Sequence, residues 1–175
     1  MDLYQTVFEL IDMRSFSNLW YWIALAVLWS STAHYVLGVP FDLVQRAARG
    51  GGQAEIDLQD MVRINVNRIL YIAGTAGTWL IALGSFLLTV LAMLGWAYGN
   101  EFCQALFLLL FPMSLVALLS SHTARHIHAK SPEGKALYKR LKRHRFFTQV
   151  IGMVSIFVTA FWGMLQNMQI GVLGG

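Results

Sequence analysis

Charged residues are missing from four long stretches of this 175-residue chain. No Asp, Glu, Lys or Arg occurs in residues 15–41, 69–100, 102–124 or 146–175, which are 27, 32, 23 and 30 residues long. A helix needs about 20 apolar residues to cross the hydrocarbon core of a bilayer, which is about 30 Å thick. Each stretch is therefore long enough to cross a membrane once and too short to cross it twice.

The composition agrees with a membrane protein. Charged residues make up 13% of the chain and hydrophobic residues 57%, whereas a soluble domain has about 25% charged residues. We therefore predict one all-α domain over residues 1–175, an integral membrane four-helix bundle. Its membrane helices are predicted at about 17–38, 67–98, 102–124 and 146–168.

The segments outside these helices are also predicted to contain helix. Residues 2–13 place Leu3, Val7 and Leu10 at helical spacing, with acidic residues on the other side. This pattern is typical of an interfacial helix that lies on the membrane surface. The connections 40–66 and 125–145 are predicted as cytoplasmic helical extensions.

The distribution of basic residues predicts the orientation of the chain. Four Arg fall in residues 41–68 and eight Lys or Arg in residues 125–145, while the 99–101 turn has none. Because basic loops stay on the cytoplasmic side, we expect both connections to be cytoplasmic and both termini to be periplasmic. The expected location is the bacterial inner (cytoplasmic) membrane, with several crossings.

Three histidines are the only candidate ligands that the pattern suggests. His122 and His126 share a helix face at spacing i, i+4, near the predicted cytoplasmic end of the third helix. His34 lies near the cytoplasmic end of the first helix. Such histidines can chelate a metal ion or hold a haem iron axially. The alternative is that all three are interfacial residues, and the lack of any acid in residues 102–132 favours it. We therefore expect no cofactor, and Cys103 alone cannot form an intrachain disulfide.

A basic run precedes the last predicted helix. Leu137 and Leu141 share one face there, and cations surround them: Lys135, Lys139, Arg140, Lys142, Arg143 and Arg145. Anionic lipid headgroups attract such residues by about 1 kcal/mol each. Docking of an acidic cytoplasmic protein partner is the other interpretation, and the two are compatible. Nucleic acid is not expected, since Tyr138 is the one aromatic residue among the cations.

Two faces of small residues predict close helix packing. They are Ala73, Gly77 and Gly84 on the second helix, and Gly152, Ser155, Thr159 and Gly163 on the fourth. Small residues let helix backbones approach closely in lipid. The predicted membrane core has no Asp, Glu, Lys or Arg, which disfavours proton pumps, ion-coupled transporters and intramembrane proteases. The chain also lacks the motifs of nucleophilic, phosphate-binding and zinc enzymes, so we predict no enzyme activity.

The stretches MRSFSNLWYWIALAVLW, VRINVNR and QVIGMVSIFVTAFWGM give the chain a resemblance to a known family. It resembles an alphaproteobacterial family of four-helix integral membrane proteins, some labelled as a component of the Suf iron–sulfur assembly complex. The resemblance covers nearly the whole chain and implies no catalytic residues, because no catalytic motif defines the family. A single cysteine is too few for a self-contained cluster.

The function expected from the sequence is that of a non-catalytic integral membrane scaffold or accessory subunit. The larger complex could be respiratory, photosynthetic or devoted to iron–sulfur assembly. The alternative is a haem- or metal-binding membrane anchor that uses His34, His122 and His126. A transporter or lipid-handling protein is a third class, disfavoured by the uncharged core.

Overall fold

A computed structural model describes the backbone of residues 15–173 and the side chains of residues 15–168. The interfacial helix predicted at residues 2–13 lies outside this part. In chain order the elements are a 3₁₀ turn Ser15–Ser17, α1 Leu19–His34, β1 Tyr35–Val36, β2 Val39–Pro40, α2 Phe41–Gly50, α3 Gln53–Ala92 with a π-helical turn Met93–Ala97, α4 Glu101–Lys130 and α5 Gly134–Leu173. Helices form nearly all of the described residues, so the all-α prediction is confirmed.

Within the described residues, three helices are long and apolar enough to cross a membrane: Gln53–Ala97, Glu101–Lys130 and Gly134–Met168. They contain the second, third and fourth helices that the charge-free stretches predict. Each one also extends without a break into the charged connections. The 40 residues of α5 correspond to about 60 Å of helix, which is about twice the thickness of a bilayer core.

The first helix is shorter than the predicted range 17–38. α1 ends at His34 after 16 residues, or about 24 Å. The next six residues, Tyr35–Pro40, form an antiparallel hairpin. Its turn residues Leu37 and Gly38 have φ of +53° and +77°, and two successive positive φ angles are the conformation of a tight hairpin turn. The chain therefore reverses at a point where the sequence predicted helix.

The apolar residues of this hairpin serve a protein core. Val36, Leu37 and Val39 are 1%, 5% and 0% exposed, and they pack with residues of α2, α3, α4 and α5. The charge-free stretch 15–41 thus contains two kinds of apolar residue, some in a helix and some in a folded core. For this reason the stretch is longer than the helix within it.

Asparagine side chains fix the starts of two helices. The Asn18 side chain accepts a hydrogen bond from the backbone N–H of Trp20 at the start of α1, and Asn100 accepts one from Cys103 at the start of α4. Both satisfy a donor that has no partner within its helix. The turn before α4 is short because Gly99 adopts a φ of +67°, which glycine reaches without steric cost.

The helices are not packed equally. α1, α4 and α5 share an apolar core built on Leu25, Trp29 and Val116. α3 packs mainly on α4 and α2, and much of its apolar length faces outward. Trp79, for example, is 79% exposed. The arrangement is therefore three helices in mutual contact, with α3 attached along one side of α4.

Candidate functional site: a basic headpiece

The two charged connections fold together into one unit, which we call the headpiece (residues 35–67 and 120–145). Its core is drawn from both halves of the chain, with α2, α3, α4 and α5 all contributing. Val44, Leu58, Ala124 and Leu141 are each 0% exposed. The connections predicted as extensions of the membrane helices thus build a packed core of their own.

The first half of α5 has a buried face and a basic face. Leu137, Leu141 and His144 are buried, and at 100° per residue they lie on one side of the helix. The opposite side carries four exposed cations, which we call the basic face: Lys135, Lys139, Lys142 and Arg143. The apolar face predicted from Leu137 and Leu141 is therefore used by the headpiece core and is not available to lipid.

Two further arginines flank the basic face and are half-buried. The Arg145 guanidinium carbon lies 3.8 Å from the ring centroid of Phe41, a cation–π contact. The Nε atoms of Arg140 and Arg145 are buried, and no residue in the described part of the chain accepts a hydrogen bond from them. Arg145 is therefore held against Phe41, and the Nε atoms of both arginines lie inside the protein.

His144 is a buried polar residue that the sequence interpretation did not single out. It is 4% exposed, and its Nδ1 lies 3.2 Å from Oγ1 of Thr123 on α4. It belongs to the headpiece half of α5, before the charge-free stretch 146–175. Burial, and secondly the charge of Arg140, lower the pKa of His144 to about 4. The signal was present, because His144 continues the helix face of Leu137 and Leu141 by one turn.

The three histidines that were candidate ligands lie on two helices, α1 and α4. His34 is exposed at the end of α1, where its ring packs edge-on against Tyr35. His122 is exposed and His126 half-buried on α4. Within residues 15–168, no group of three or more His, Cys, Asp or Glu side chains is placed to hold a metal ion.

The charges around His126 also oppose cation binding. Burial lowers the pKa of His126, and the positive charges of Arg140 and Lys130 lower it further. The same positive charges would repel a divalent metal ion at this position. The electrostatics around His126 therefore do not favour a divalent cation at this position.

One cleft opens on the headpiece surface, and another lies where the headpiece meets α1. One has a volume of about 210 Å³ and lies between α3 and the α4–α5 turn, with Val62 and Leu137 among its apolar residues and Arg63 and His128 among its polar ones. The other has a volume of about 410 Å³ and lies between the end of α1 and Arg145 of α5. The second cleft is lined mainly by polar side chains.

A buried polar network closes the opposite end of the molecule. Gln104 is 4% exposed. Its Nε2 donates to the carbonyl of Gly95, and its Oε1 accepts from Trp162 and Gln166. The carboxylate of Glu101 accepts a 2.7 Å hydrogen bond from the backbone N–H of Phe16. The network joins α3, α4, α5 and the segment before α1, which is a structural role.

The two small-residue faces differ in their surroundings. A Cβ added to Gly152 would lie 2.8 Å from Cε3 of Trp29, and one added to Gly163 would lie 3.2 Å from Cζ2 of Trp22. Ser155 and Thr159, between them on α5, are buried. Gly77 and Gly84 on α3 have nothing within 4 Å of an added Cβ, and Ala73 is half-buried. The α5 face therefore receives the aromatic rings of α1, whereas the α3 glycines border open space.

Comparison with protein-family models, with curated proteins and with solved structures finds no match for this chain.

Proposed function

We propose that this protein is a non-catalytic integral membrane scaffold or accessory subunit, and that its headpiece docks an acidic surface of a cytoplasmic protein partner. The observation that carries the proposal is the basic face of α5, which points away from a fully packed core. The respiratory, photosynthetic and iron–sulfur assembly complexes remain the candidate assemblies.

The direction of α5 favours a protein partner over lipid for most of the basic face. α5 is one continuous helix from Gly134 onward, so its basic half extends from its apolar half along the same axis. Lys135 precedes Phe146 by eleven residues, or about 16 Å of helix. Attraction to headgroups falls off within a Debye length, about 8 Å at physiological ionic strength. Lys142 and Arg143 are close enough to reach headgroups, while Lys135 and Lys139 stand further into water.

The headpiece has the rigidity that a docking surface needs. The cations of the basic face project from a helix whose other side is fixed by Leu137 and Leu141, with exposures of 2% and 0%. A fixed backbone reduces the ordering cost of binding, and complementary charge speeds association and selects the partner. The membrane part holds this surface at the bilayer, with anionic lipids at the cytoplasmic side.

The proposal places α1 across the membrane as the fourth helix, with both termini periplasmic. The hydroxyl of Tyr21 donates to the carbonyl of Ala105 on α4, and Trp29 contacts Gly152 on α5. α1 thus lies beside the charge-free parts of two longer helices. The twelve cations between residues 46 and 145 support the cytoplasmic side for the headpiece.

Purification of tagged protein in a mild detergent tests the docking role. We expect a stoichiometric protein partner with wild type, and its loss when Lys135, Lys139, Lys142 and Arg143 are all changed to Gln. The matched control changes the four exposed arginines of the other connection to Gln: Arg46, Arg49, Arg63 and Arg68. It removes the same charge but leaves the basic face intact, so the partner should be retained.

Two results would count against the proposal. The first is recovery of wild-type protein alone, with no stoichiometric partner. The second is equal loss of the partner in both quadruple variants, which would show that net charge and not the basic face is recognised. A rise of salt from 50 to 500 mM should release the partner from wild type, since exposed charge pairs are screened.

A further inference from the structure

The cleft between α1 and α5 gathers polar side chains at one level of the molecule. It is lined by Ser30, Ser31, His34, Tyr35 and Arg145, together with Ala33. Its volume of about 410 Å³ falls within the range of about 300–1,000 Å³ that is usual for ligand sites. Among the described residues, no hydrogen bond uses the hydroxyls of Ser30, Ser31 or Tyr35. Several donors therefore face one cleft without internal partners.

Arg145 gives the cleft a fixed positive charge. Its guanidinium is stacked on Phe41 at 3.8 Å, and its Nε has no acceptor in the described chain. The contact with Phe41 occupies one face of the planar group and the Nε is buried, which leaves the two terminal Nη groups as the donors along its edge. That edge matches two oxygens of a phosphate group, which is the geometry that makes Arg a common phosphate ligand.

The residues around the cleft favour a position at the boundary between water and lipid. Arg145 is the last charged residue before the charge-free stretch 146–175, and the next residue, Phe146, is 60% exposed. On α1, Val27 precedes Ser30 and Ser31 by one turn on the same face and is also 60% exposed. Polar donors are thus bordered on the membrane side by exposed apolar side chains.

We propose that this cleft binds the phosphate of an anionic phospholipid. Arg145 pairs with the phosphate oxygens, and the hydroxyls of Ser30 and Ser31 donate to the same group. The acyl chains lie along the exposed apolar side chains that begin at Val27 and Phe146. A soluble phosphate ester would use the same donors, but it would gain nothing from those apolar neighbours. The proposal goes beyond the docking role and uses none of the four cations of the basic face.

Native mass spectrometry of the full chain in detergent tests the site. Delipidated protein is titrated with phosphatidylglycerol, and with zwitterionic phosphatidylcholine as the comparison lipid. We expect one tightly bound phosphatidylglycerol, with affinity reduced at least tenfold in Arg145→Gln and severalfold in Arg145→Lys, which keeps the charge but loses the planar fork. Lys139→Gln is the matched control, since it removes the same charge outside the cleft and should change affinity less than twofold.

A second variant keeps the test valid if Arg145→Gln disturbs the fold. Ser30 and Ser31 are exposed on α1, so the double change to Ala leaves the core intact and should weaken binding severalfold. Glycerol 3-phosphate at the same concentration should not displace the lipid. Equal binding by wild type and Arg145→Gln, an equal loss in Lys139→Gln, or displacement by glycerol 3-phosphate would each overturn the proposal.

Discussion

Packing of α1 on α5 is tested most directly by making the same Gly→Ala substitution at two positions, Gly152 on α5 and Gly77 on α3. A Cβ added to Gly152 would lie 2.8 Å from Cε3 of Trp29, and the ring is held in a buried core where Trp29 is 5% exposed. A Cβ added to Gly77 would meet nothing within 4 Å. The two Gly→Ala changes therefore differ mainly in one contact.

The size of the expected effect follows from two opposing contributions. Ala is more favourable than Gly inside a helix by up to about 1 kcal/mol, and this gain is common to both variants. Overpacking of a filled core costs about 1–3 kcal/mol, and it applies to Gly152→Ala alone. Gly77→Ala should thus match or exceed wild type in stability, and Gly152→Ala should be about 1–3 kcal/mol less stable than Gly77→Ala.

Unfolding in detergent, followed by far-ultraviolet circular dichroism during a dodecyl sulfate titration, measures the free energy of unfolding for both variants. Changing Trp29 to Leu in the Gly152→Ala background should recover part of the lost stability, because it removes the ring that the new methyl group meets. Equal stability of the two Gly→Ala variants would refute the packing of α1 on α5 described above.

Three further predictions concern the headpiece and the opposite end. Leu141→Ala should destabilise the headpiece by about 2–5 kcal/mol, whereas Lys142→Ala, at an exposed position, should change stability by no more than about 0.5 kcal/mol. The rates of limited proteolysis of the headpiece in the two variants measure this difference. The pKa of His144 is lowered to about 4, against 6.5 for an ordinary histidine, so the protein takes up a proton when it unfolds between these pH values. Its stability should therefore fall as the pH drops from 6.5 to 4. Thermal unfolding across that range should show a weaker dependence of stability on pH in His144→Gln than in wild type. Gln104→Leu leaves the Gly95 carbonyl and the Trp162 N–H without their partner. This should lower the free energy of unfolding by about 1–3 kcal/mol for each group, as measured by thermal unfolding. Unchanged stability would mean that water or another group replaces the glutamine.

The sequence predicted the long helices well, because charge is a direct signal of the environment of a residue. The absence of charge in residues 69–100, 102–124 and 146–168 located the apolar parts of α3, α4 and α5. These signals are local, and each can be read without knowledge of the partners of a residue.

The end of α1 could not be predicted in the same way. Val36, Leu37 and Val39 are as apolar as residues that face lipid, and burial in a headpiece core leaves no different pattern over so short a run. The positive φ of Leu37, +53°, is also a conformation that its residue type disfavours. The packed core around this residue determines the turn, and that core depends on contacts from distant parts of the chain.

The sequence predicted which basic residues belong to the candidate site, but it did not predict how they are arranged. The basic residues were identified, but the sequence could not show that Leu137 and Leu141 pack into protein, which turns the cations outward. The cleft at Arg145 joins α1 to α5, more than 100 residues apart, and no periodicity reports such a contact. The same limit applies to Gly77 and Gly152, which have the same residue type but different neighbours.

The headpiece core has a consequence for biosynthesis, because its two halves are separated by the whole α3–α4 hairpin. Leu58 and Leu141 pack in one core, so in the proposed membrane topology the chain between them crosses the bilayer an even number of times. If either helix of the hairpin failed to insert, the halves would lie on opposite sides and neither could bury its apolar residues. Under the proposed topology this core can therefore be completed only when both helices of the hairpin, or neither, have inserted, and an unfinished half offers quality-control proteases an apolar segment to recognise.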